Sequence, residues 1–188
     1  KDDSALYYTR QAYDIYMEID NSRGKARACY YLSYVFSIKG DLAESERYAS
    51  LSANFFEEAG DTRGAINAFH VLSFVAKQQN DFLKARGLIN QAIDLARASR
   101  DTLNLANVVN TLGNIYKDMA LFSQAIDAYF EALKLWESIG DSSGISIAYG
   151  SIGLMYYYQK EWGKALEYCF KKVLLSEARN EVYELSKT

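Results

Sequence analysis

The amino-acid sequence predicts an all-α protein built from a repeated pair of helices. Three observations carry this prediction: the 188 residues contain no proline, similar segments recur every 40 residues, and apolar residues follow one another at intervals of three and four. Proline is the strongest internal helix breaker, so its absence permits long helices. Apolar residues at that spacing line one face of a helix rather than of a strand.

Two alternating series of turn-like segments divide the chain. Gly-Asp-Thr-Arg-Gly at 60–64 and Gly-Asp-Ser-Ser-Gly at 140–144 lie two periods apart, and related segments occur near residues 21 and 101. A second series falls midway, near residues 40, 80, 120 and 160. Glycines at 60 and 140 suit the left-handed conformation that ends a helix, and the aspartates after them suit the cap of the next. Each period is therefore a helical hairpin.

This punctuation predicts the elements and their grouping. Helices are expected over residues 4–19, 24–39, 42–58, 63–79, 82–98, 103–119, 122–138, 143–159 and 162–179. A single array is expected over 1–188, with a half repeat at 1–20, whole repeats at about 21–60, 61–100, 101–140 and 141–180, and 181–188 as a tail or the start of a further helix.

Charge and composition limit the kinds of partner that this segment can bind. The net charge is −3 and no run of Lys or Arg exceeds two residues, so we expect no nucleic-acid binding by this segment. The apolar stretches are shorter than the ~20 residues of a membrane-spanning helix, so we expect no membrane binding by it either. Cys29 and Cys169 fit no metal or redox spacing and are interpreted as buried free thiols. Because the chain begins at Lys1, we expect a piece of a longer, cytoplasmic polypeptide.

The repeats carry a recognisable motif of small and aromatic residues. The third whole copy supplies Val109, Leu112, Gly113, Tyr116, Ala125 and Tyr129, and the fourth supplies Tyr149, Ile152, Gly153, Tyr156, Ala165 and Cys169. This pattern resembles the tetratricopeptide repeat, with 40 residues in place of the family's 34. The longer form is similar to repeats of adaptor proteins and of the regulatory regions of bacterial signalling proteins. The resemblance implies a right-handed superhelical solenoid of antiparallel helix pairs.

In this family the first helix of each pair lines the concave side, where partners bind. The corresponding stripe of side chains is Arg27, Tyr30, Tyr34 and Ser37, then Asn67, His70, Phe74 and Lys77, then Asn107, Asn110, Asn114 and Lys117, then Ile147, Gly150, Leu154 and Tyr157. All except Ser37, Ile147 and Gly150 are our predicted partner-binding residues. Two alternatives stay open: the aromatic members pack between repeats, or the asparagines form hydrogen bonds within the array.

Catalytic motifs are missing from the sequence. His70 is the only histidine, neither cysteine lies near it in the repeat register, and no His-Glu-x-x-His motif occurs. The Gly-Lys pairs at 24–25 and 163–164 lack the earlier glycine of a phosphate-binding loop. We therefore predict a non-enzymatic segment that uses no cofactor and no metal.

The leading functional hypothesis is a protein-interaction module that binds a peptide segment of a partner, as the regulatory region of a larger signalling protein. The partner is another protein or another domain of the same polypeptide. One alternative is a structural spacer or self-association element, with a homodimer formed through the open ends of the array. A second alternative is a sensor that binds a small ligand or a signalling peptide.

Overall fold

The computed structural model describes residues 2–185, and the surroundings of side chains for Ser4 and for residues 6–178. Within these residues the chain forms helices and no strand, which confirms the all-α prediction. The helices are α1 (Asp2–Glu18), α2 (Ser22–Lys39), α3 (Leu42–Glu58), α4 (Thr62–Gln78), α5 (Phe82–Ala98), α6 (Thr102–Asp118), α7 (Phe122–Ile139), α8 (Ser142–Tyr158) and α9 (Trp162–Leu185).

The predicted helix boundaries agree with the structure to within two residues, except at the end of α9. We expected α9 to end at residue 179, but it continues to Leu185, so 181–185 belong to it and 186–188 lie outside the described residues. The Ala-Arg-Asn-Glu segment at 178–181 contains neither glycine nor proline. Nothing in it therefore interrupts the helical hydrogen bonding.

The helices group into two compact units, Lys1–Asn104 and Leu105–Thr188, which we call the N-terminal and C-terminal units. In the N-terminal unit α2 packs against α1, α3 and α4, and α4 also packs against α3 and α5. In the C-terminal unit α8 packs against both α7 and α9. The first helices of neighbouring repeats, α2 and α4, thus touch each other. A single array over the whole chain stays a prediction.

Helix ends follow the predicted turn chemistry. Gly60 and Gly140 have φ of 64° and 70°, the left-handed conformation that glycine adopts without a steric penalty. The Asp61 side chain accepts a hydrogen bond from the Gly64 N–H at 3.0 Å, and Asp141 caps α8 in the same way. Each aspartate satisfies an N–H group that the first turn of a helix leaves unpaired.

Neighbouring hairpins are joined by an aromatic ring that lies over a glycine, a contact that we call the ring–glycine contact. Tyr16 lies over Gly24 and Phe56 over Gly64 in the N-terminal unit, and Trp136 lies over Gly144 in the C-terminal unit. A Cβ atom added at any of these glycines would overlap the ring. The first turn of the next hairpin can therefore approach the end of the preceding helix closely only because glycine, which has no side chain, stands at the point of contact.

Buried serines hold α3 against α2. Ser45 Oγ donates to the carbonyl oxygen of Ser33 at 2.8 Å, and Ser52 Oγ donates to that of Ala26 at 2.9 Å. Both hydroxyls are fully buried, so each bond satisfies a polar group that would otherwise be costly to bury. These two bonds fix the hairpin that carries the candidate site.

One prediction about the cysteines is wrong. Cys29 is buried as expected, whereas Cys169 is exposed. Tyr129, one period earlier on α7, is fully buried because α8 packs over that helix, and no described helix covers the same face of α9. Ile126 on α7 and Leu166 on α9 show the same contrast, with 8% and 58% of their surface exposed.

The ring–glycine contact predicts that Gly64→Ala destabilises the fold. The new methyl group would overlap the buried Phe56 ring, and such overpacking costs about 1–3 kcal/mol. Gly87→Ala is the matched control, because it lies inside α5 with open space around its Cβ position. Both substitutions replace a helical glycine by alanine, but only Gly64→Ala meets a ring. In urea unfolding, the free energy of unfolding of Gly64→Ala should therefore be about 1–3 kcal/mol lower than that of Gly87→Ala. Equal free energies would show that the ring–glycine contact is not tightly packed.

Candidate functional site

The candidate site lies on the adjoining first helices α2 and α4 of the N-terminal unit. Tyr34 and Phe74 expose 57% and 42% of their surface, and Arg27 is also exposed. Tyr30, Asn67, His70 and Lys77 are half-buried on the same two helices, and Lys77 Nζ lies 5.9 Å from the centre of the Phe74 ring. The structure thus brings together the seven residues that the repeat register predicted for this unit.

Aromatic side chains enclose a small cavity at the C-terminal halves of α2 and α4, which we call the aromatic pocket. Its volume is about 220 Å³ and its lining residues are Tyr30, Tyr34, Ser37, His70, Val71 and Phe74. Val71 is the one member that the stripe did not include. A pocket of this composition accepts an apolar side chain and offers phenol and imidazole groups at its edge.

Burial changes the ionisation of two groups in the aromatic pocket. It lowers the pKa of His70 below its ordinary value of 6.5, because desolvation disfavours the charged imidazolium. It raises the pKa of Tyr30 above 10.0, and the neighbouring Tyr31 and Tyr34 add to that rise. Near neutral pH the pocket therefore holds the neutral imidazole of His70 and the protonated phenol of Tyr30.

A second cavity, which we call the basic pocket, adjoins the first at the N-terminal halves of α2 and α4. Its volume is about 310 Å³ and its lining residues are Arg23, Arg27, Tyr30, Tyr31, Phe56, Asp61, Arg63, Gly64 and Asn67. Tyr30 therefore lines both pockets. We did not predict Arg23, Tyr31 or Arg63, although Arg23 and Arg63 are one period apart and lie one helical turn before the predicted Arg27 and Asn67.

Two arginines of the basic pocket connect successive repeats. Arg23 Nε lies 3.0 Å from an Asp61 carboxylate oxygen, and Arg63 Nε lies 3.1 Å from one of Asp101. Desolvation raises the pKa of Asp101, but hydrogen bonds from Asn104 and Arg63 outweigh it and leave that pKa below the ordinary value. Arg27 forms no ion pair with any described residue. Among the described residues that line the pocket, it is the guanidinium without a carboxylate partner.

The asparagines predicted as contacts in the C-terminal unit are partly buried or hydrogen-bonded within that unit. Asn114 Oδ1 accepts a hydrogen bond from the Tyr129 hydroxyl at 2.8 Å, and Asn110 Oδ1 is buried without a partner among the described residues. Asn107 is half-buried, and Lys117 Nζ lies 3.5 Å from an Asp118 carboxylate oxygen. This part of the stripe offers a partner fewer polar groups than its sequence suggested.

The last two predicted residues, Leu154 and Tyr157, are exposed on α8. They line an open cavity of about 460 Å³ with residues of α9 that the stripe did not include. The other lining residues are Gly150, Gly153, Trp162, Ala165, Leu166, Cys169 and Lys172. This surface is more apolar than the basic pocket of the N-terminal unit.

Side chains that could ligate a metal ion do not converge in the described part of the chain. No three histidine, cysteine or carboxylate side chains there are grouped to hold a metal ion. Burial raises the pKa of the Cys29 thiol to about 12, so the thiolate nucleophile is not formed near neutral pH. Within residues 2–185 no helix is both long and apolar enough to cross a membrane.

His70 predicts a pH dependence of stability. Because its folded pKa lies below 6.5, the unfolded chain binds the proton more tightly. The free energy of unfolding should therefore fall as the pH drops from 7.5 to 5.5, above the range in which ordinary carboxylates titrate. Since His70 is the only histidine, urea unfolding of His70→Gln should show a smaller fall over that window. Equal falls in both proteins would show that His70 is not desolvated.

No family model and no curated protein matches the chain. Solved structures do match it. The apo form of RapI superposes with a TM-score of 0.85 at 16% identity, over 100% of this chain and 68% of that one. A Rap protein complexed with Competence and Sporulation Factor gives a TM-score of 0.81 at 15% identity, over 97% of this chain and 51% of that one.

A third similar structure is a signal-transduction ATPase with numerous domains from Pyrococcus horikoshii, which has a tetratricopeptide repeat sensor. It gives a TM-score of 0.74 at 21% identity, over 85% of this chain and 26% of that one. The chain thus spans about half of the Rap protein and about a quarter of the ATPase. Identities this low establish the fold alone. Together with the nine helices within residues 2–185, they confirm the predicted fold: the chain is a tetratricopeptide-like array of helix pairs.

Proposed function

We propose that this chain is a protein-interaction module, and that the surface of α2 and α4 binds an extended peptide segment of a partner. The observation that carries the proposal is the aromatic pocket, where Tyr34 and Phe74 are held at the surface by two helices packed against each other. Large aromatic side chains around a concave site are typical of peptide-binding grooves. The other predicted contacts, Asn107, Asn110, Asn114, Lys117, Leu154 and Tyr157, are proposed as secondary ones.

The energetics favour such a role. Burying an apolar side chain against the pocket is worth roughly 1.5–3 kcal/mol. The Asn67 amide, half-buried beside the aromatic pocket, suits a hydrogen bond to a peptide backbone that contributes about 0.5–1.5 kcal/mol net. Because α2 and α4 are held by buried packing, the protein itself loses little conformational entropy when a peptide binds.

The structural neighbours support the same role. One of them was solved with Competence and Sporulation Factor bound, and another carries its repeats as the sensor of a larger signal-transduction protein. We extend this to the chain by proposing that it is the regulatory region of a longer signalling protein. Binding is its proposed activity, and no catalytic step is assigned to it.

Self-association is a second candidate function, favoured by one observation on α9. Five large apolar side chains of that helix are 50–63% exposed: Trp162, Leu166, Phe170, Val173 and Leu174. A contiguous apolar face of this kind is typical of a protein contact. Light scattering at micromolar concentrations distinguishes the two candidates, because self-association through α9 would give a dimer that Leu166→Glu abolishes.

The peptide-binding proposal predicts that Tyr34→Ala weakens binding. Dodecapeptides selected on the wild-type chain from a random display library should lose about tenfold in affinity, because the substitution removes an aromatic wall of the pocket. Leu83→Ala is the matched control, since Leu83 is a large apolar residue of the same unit, 67% exposed, on the second helix α5. It should leave the affinities unchanged.

Affinities are measured by fluorescence anisotropy, and circular dichroism checks that both variants are folded. Peptides that bind equally well to the wild type and to Tyr34→Ala would contradict the site assignment. A library that yields no binding peptide would contradict the function and favour the small-ligand sensor or the spacer.

A further inference from the structure

We infer that the surface of α2 and α4 recognises a pair of side chains, and this inference rests on the proposed peptide-binding function. The basic pocket receives one carboxylate side chain of an extended peptide, and the aromatic pocket receives a large apolar side chain three positions away. The inference comes from the juxtaposition of two pockets of different chemistry that share Tyr30 as a common wall.

The charge balance of the basic pocket fits a single carboxylate. Three guanidinium groups line it, but Arg23 is paired with Asp61 and Arg63 is paired with Asp101. Arg27 remains, exposed and without an ion pair among the described residues, so the cluster carries about one uncompensated positive charge. A carboxylate accepts the paired N–H groups of a guanidinium in a planar, two-bond arrangement. A singly charged carboxylate matches that one uncompensated charge, whereas a doubly charged phosphate would exceed it.

The aromatic pocket carries no charge near neutral pH. Its rings are those of Tyr30, Tyr34 and Phe74, and burial keeps the His70 imidazole neutral beside them. Lys77 stands beside Phe74 but outside the lining, with Nζ 5.9 Å from the ring centre. An acidic side chain in the pocket would therefore lose hydration without a cation in the lining, whereas an apolar side chain would bury its surface. The two pockets therefore select opposite chemistries, and a peptide binds in one orientation.

The spacing of the two pockets sets the spacing of the two side chains. Arg27 and Tyr34 lie seven residues apart on α2, a rise of about 10 Å at 1.5 Å per residue. A peptide with polyproline II geometry has three residues per turn and rises about 3.1 Å per residue. Residues i and i+3 of such a peptide point to the same side about 9 Å apart. A separation of three positions therefore places both side chains over their pockets.

The probes for the test are mixtures of synthetic dodecapeptides. Each mixture fixes one glutamate and one phenylalanine at a separation of one, three or six positions and randomises the rest, and parallel mixtures carry glutamine or lysine in place of glutamate. The fraction retained on the immobilised full chain is measured. We expect the wild type to retain the glutamate mixture of separation three best, about fivefold above its glutamine counterpart, as a partly exposed ion pair provides.

Charge reversal at Arg27 gives the decisive comparison. Arg27→Glu should lose the preference for glutamate and retain the lysine mixture instead. Arg27→Gln should retain the glutamate, glutamine and lysine mixtures equally well. Lys134→Glu on α7 makes the same change of net charge at an exposed residue that lines neither pocket, and should behave as the wild type does. Arg27 is exposed, so neither substitution disturbs the core, which circular dichroism verifies.

The outcomes separate this inference from the function on which it rests. If Tyr34→Ala lowers retention of every phenylalanine mixture but glutamate and glutamine mixtures bind the wild type equally, the peptide function stands and the paired recognition is overturned. Equal retention at all three separations also overturns it. If Tyr34→Ala changes nothing, the proposed peptide site on α2 and α4 fails, and the paired recognition fails with it. If no mixture is retained by the wild type, the peptide-binding function itself fails.

Discussion

The ring–glycine contact between consecutive hairpins is the constraint on which the rest of each unit depends. Phe56 at the end of α3 lies over Gly64 in the first turn of α4, and Tyr16 with Gly24 and Trp136 with Gly144 repeat the arrangement. The ring occupies the space that the side chain of another residue would take at the glycine, so the contact between the helices is packed as densely as a protein interior. The same contact sets how closely the next first helix approaches the preceding hairpin.

The close packing of α4 against the preceding hairpin determines which surface the N-terminal unit exposes. With α4 held against α3 by the Phe56 contact, and α3 fixed to α2 by the Ser45 and Ser52 hydrogen bonds, the first helices α2 and α4 lie side by side. Their buried faces consist mainly of small and aliphatic residues, and the stripe that bears the candidate site has no helix over it in the described part of the chain. Tyr34, Phe74 and Arg27 are therefore presented on a rigid support, which suits binding without a large ordering cost.

Much of this organisation is predictable from the sequence, because it repeats. The period of 40 residues specified the helices, and Gly60 with Asp61 specified a helix end and the next cap through their backbone preferences. Whether a residue is exposed was harder to predict, because it depends on which helix lies above it. Cys169 and the buried Tyr129 occupy the same place in the repeat, yet only Tyr129 is covered. Asn114 turned toward Tyr129 for a similar reason, since a phenol of the paired helix lies within reach.

The central claim is that a peptide contacts the stripe of α2 and α4 through the side chains of the two pockets. Carbon–proton NMR spectra of the aromatic rings test it most directly, recorded on the full chain with a dodecapeptide selected by display. We expect the ring signals of Tyr30, Tyr34 and Phe74 to shift on addition of peptide, and those of the buried Tyr48 and Trp136 to stay unchanged. Shifts confined to aromatic residues of α8 and α9, with Tyr34 and Phe74 unchanged, would contradict the claim.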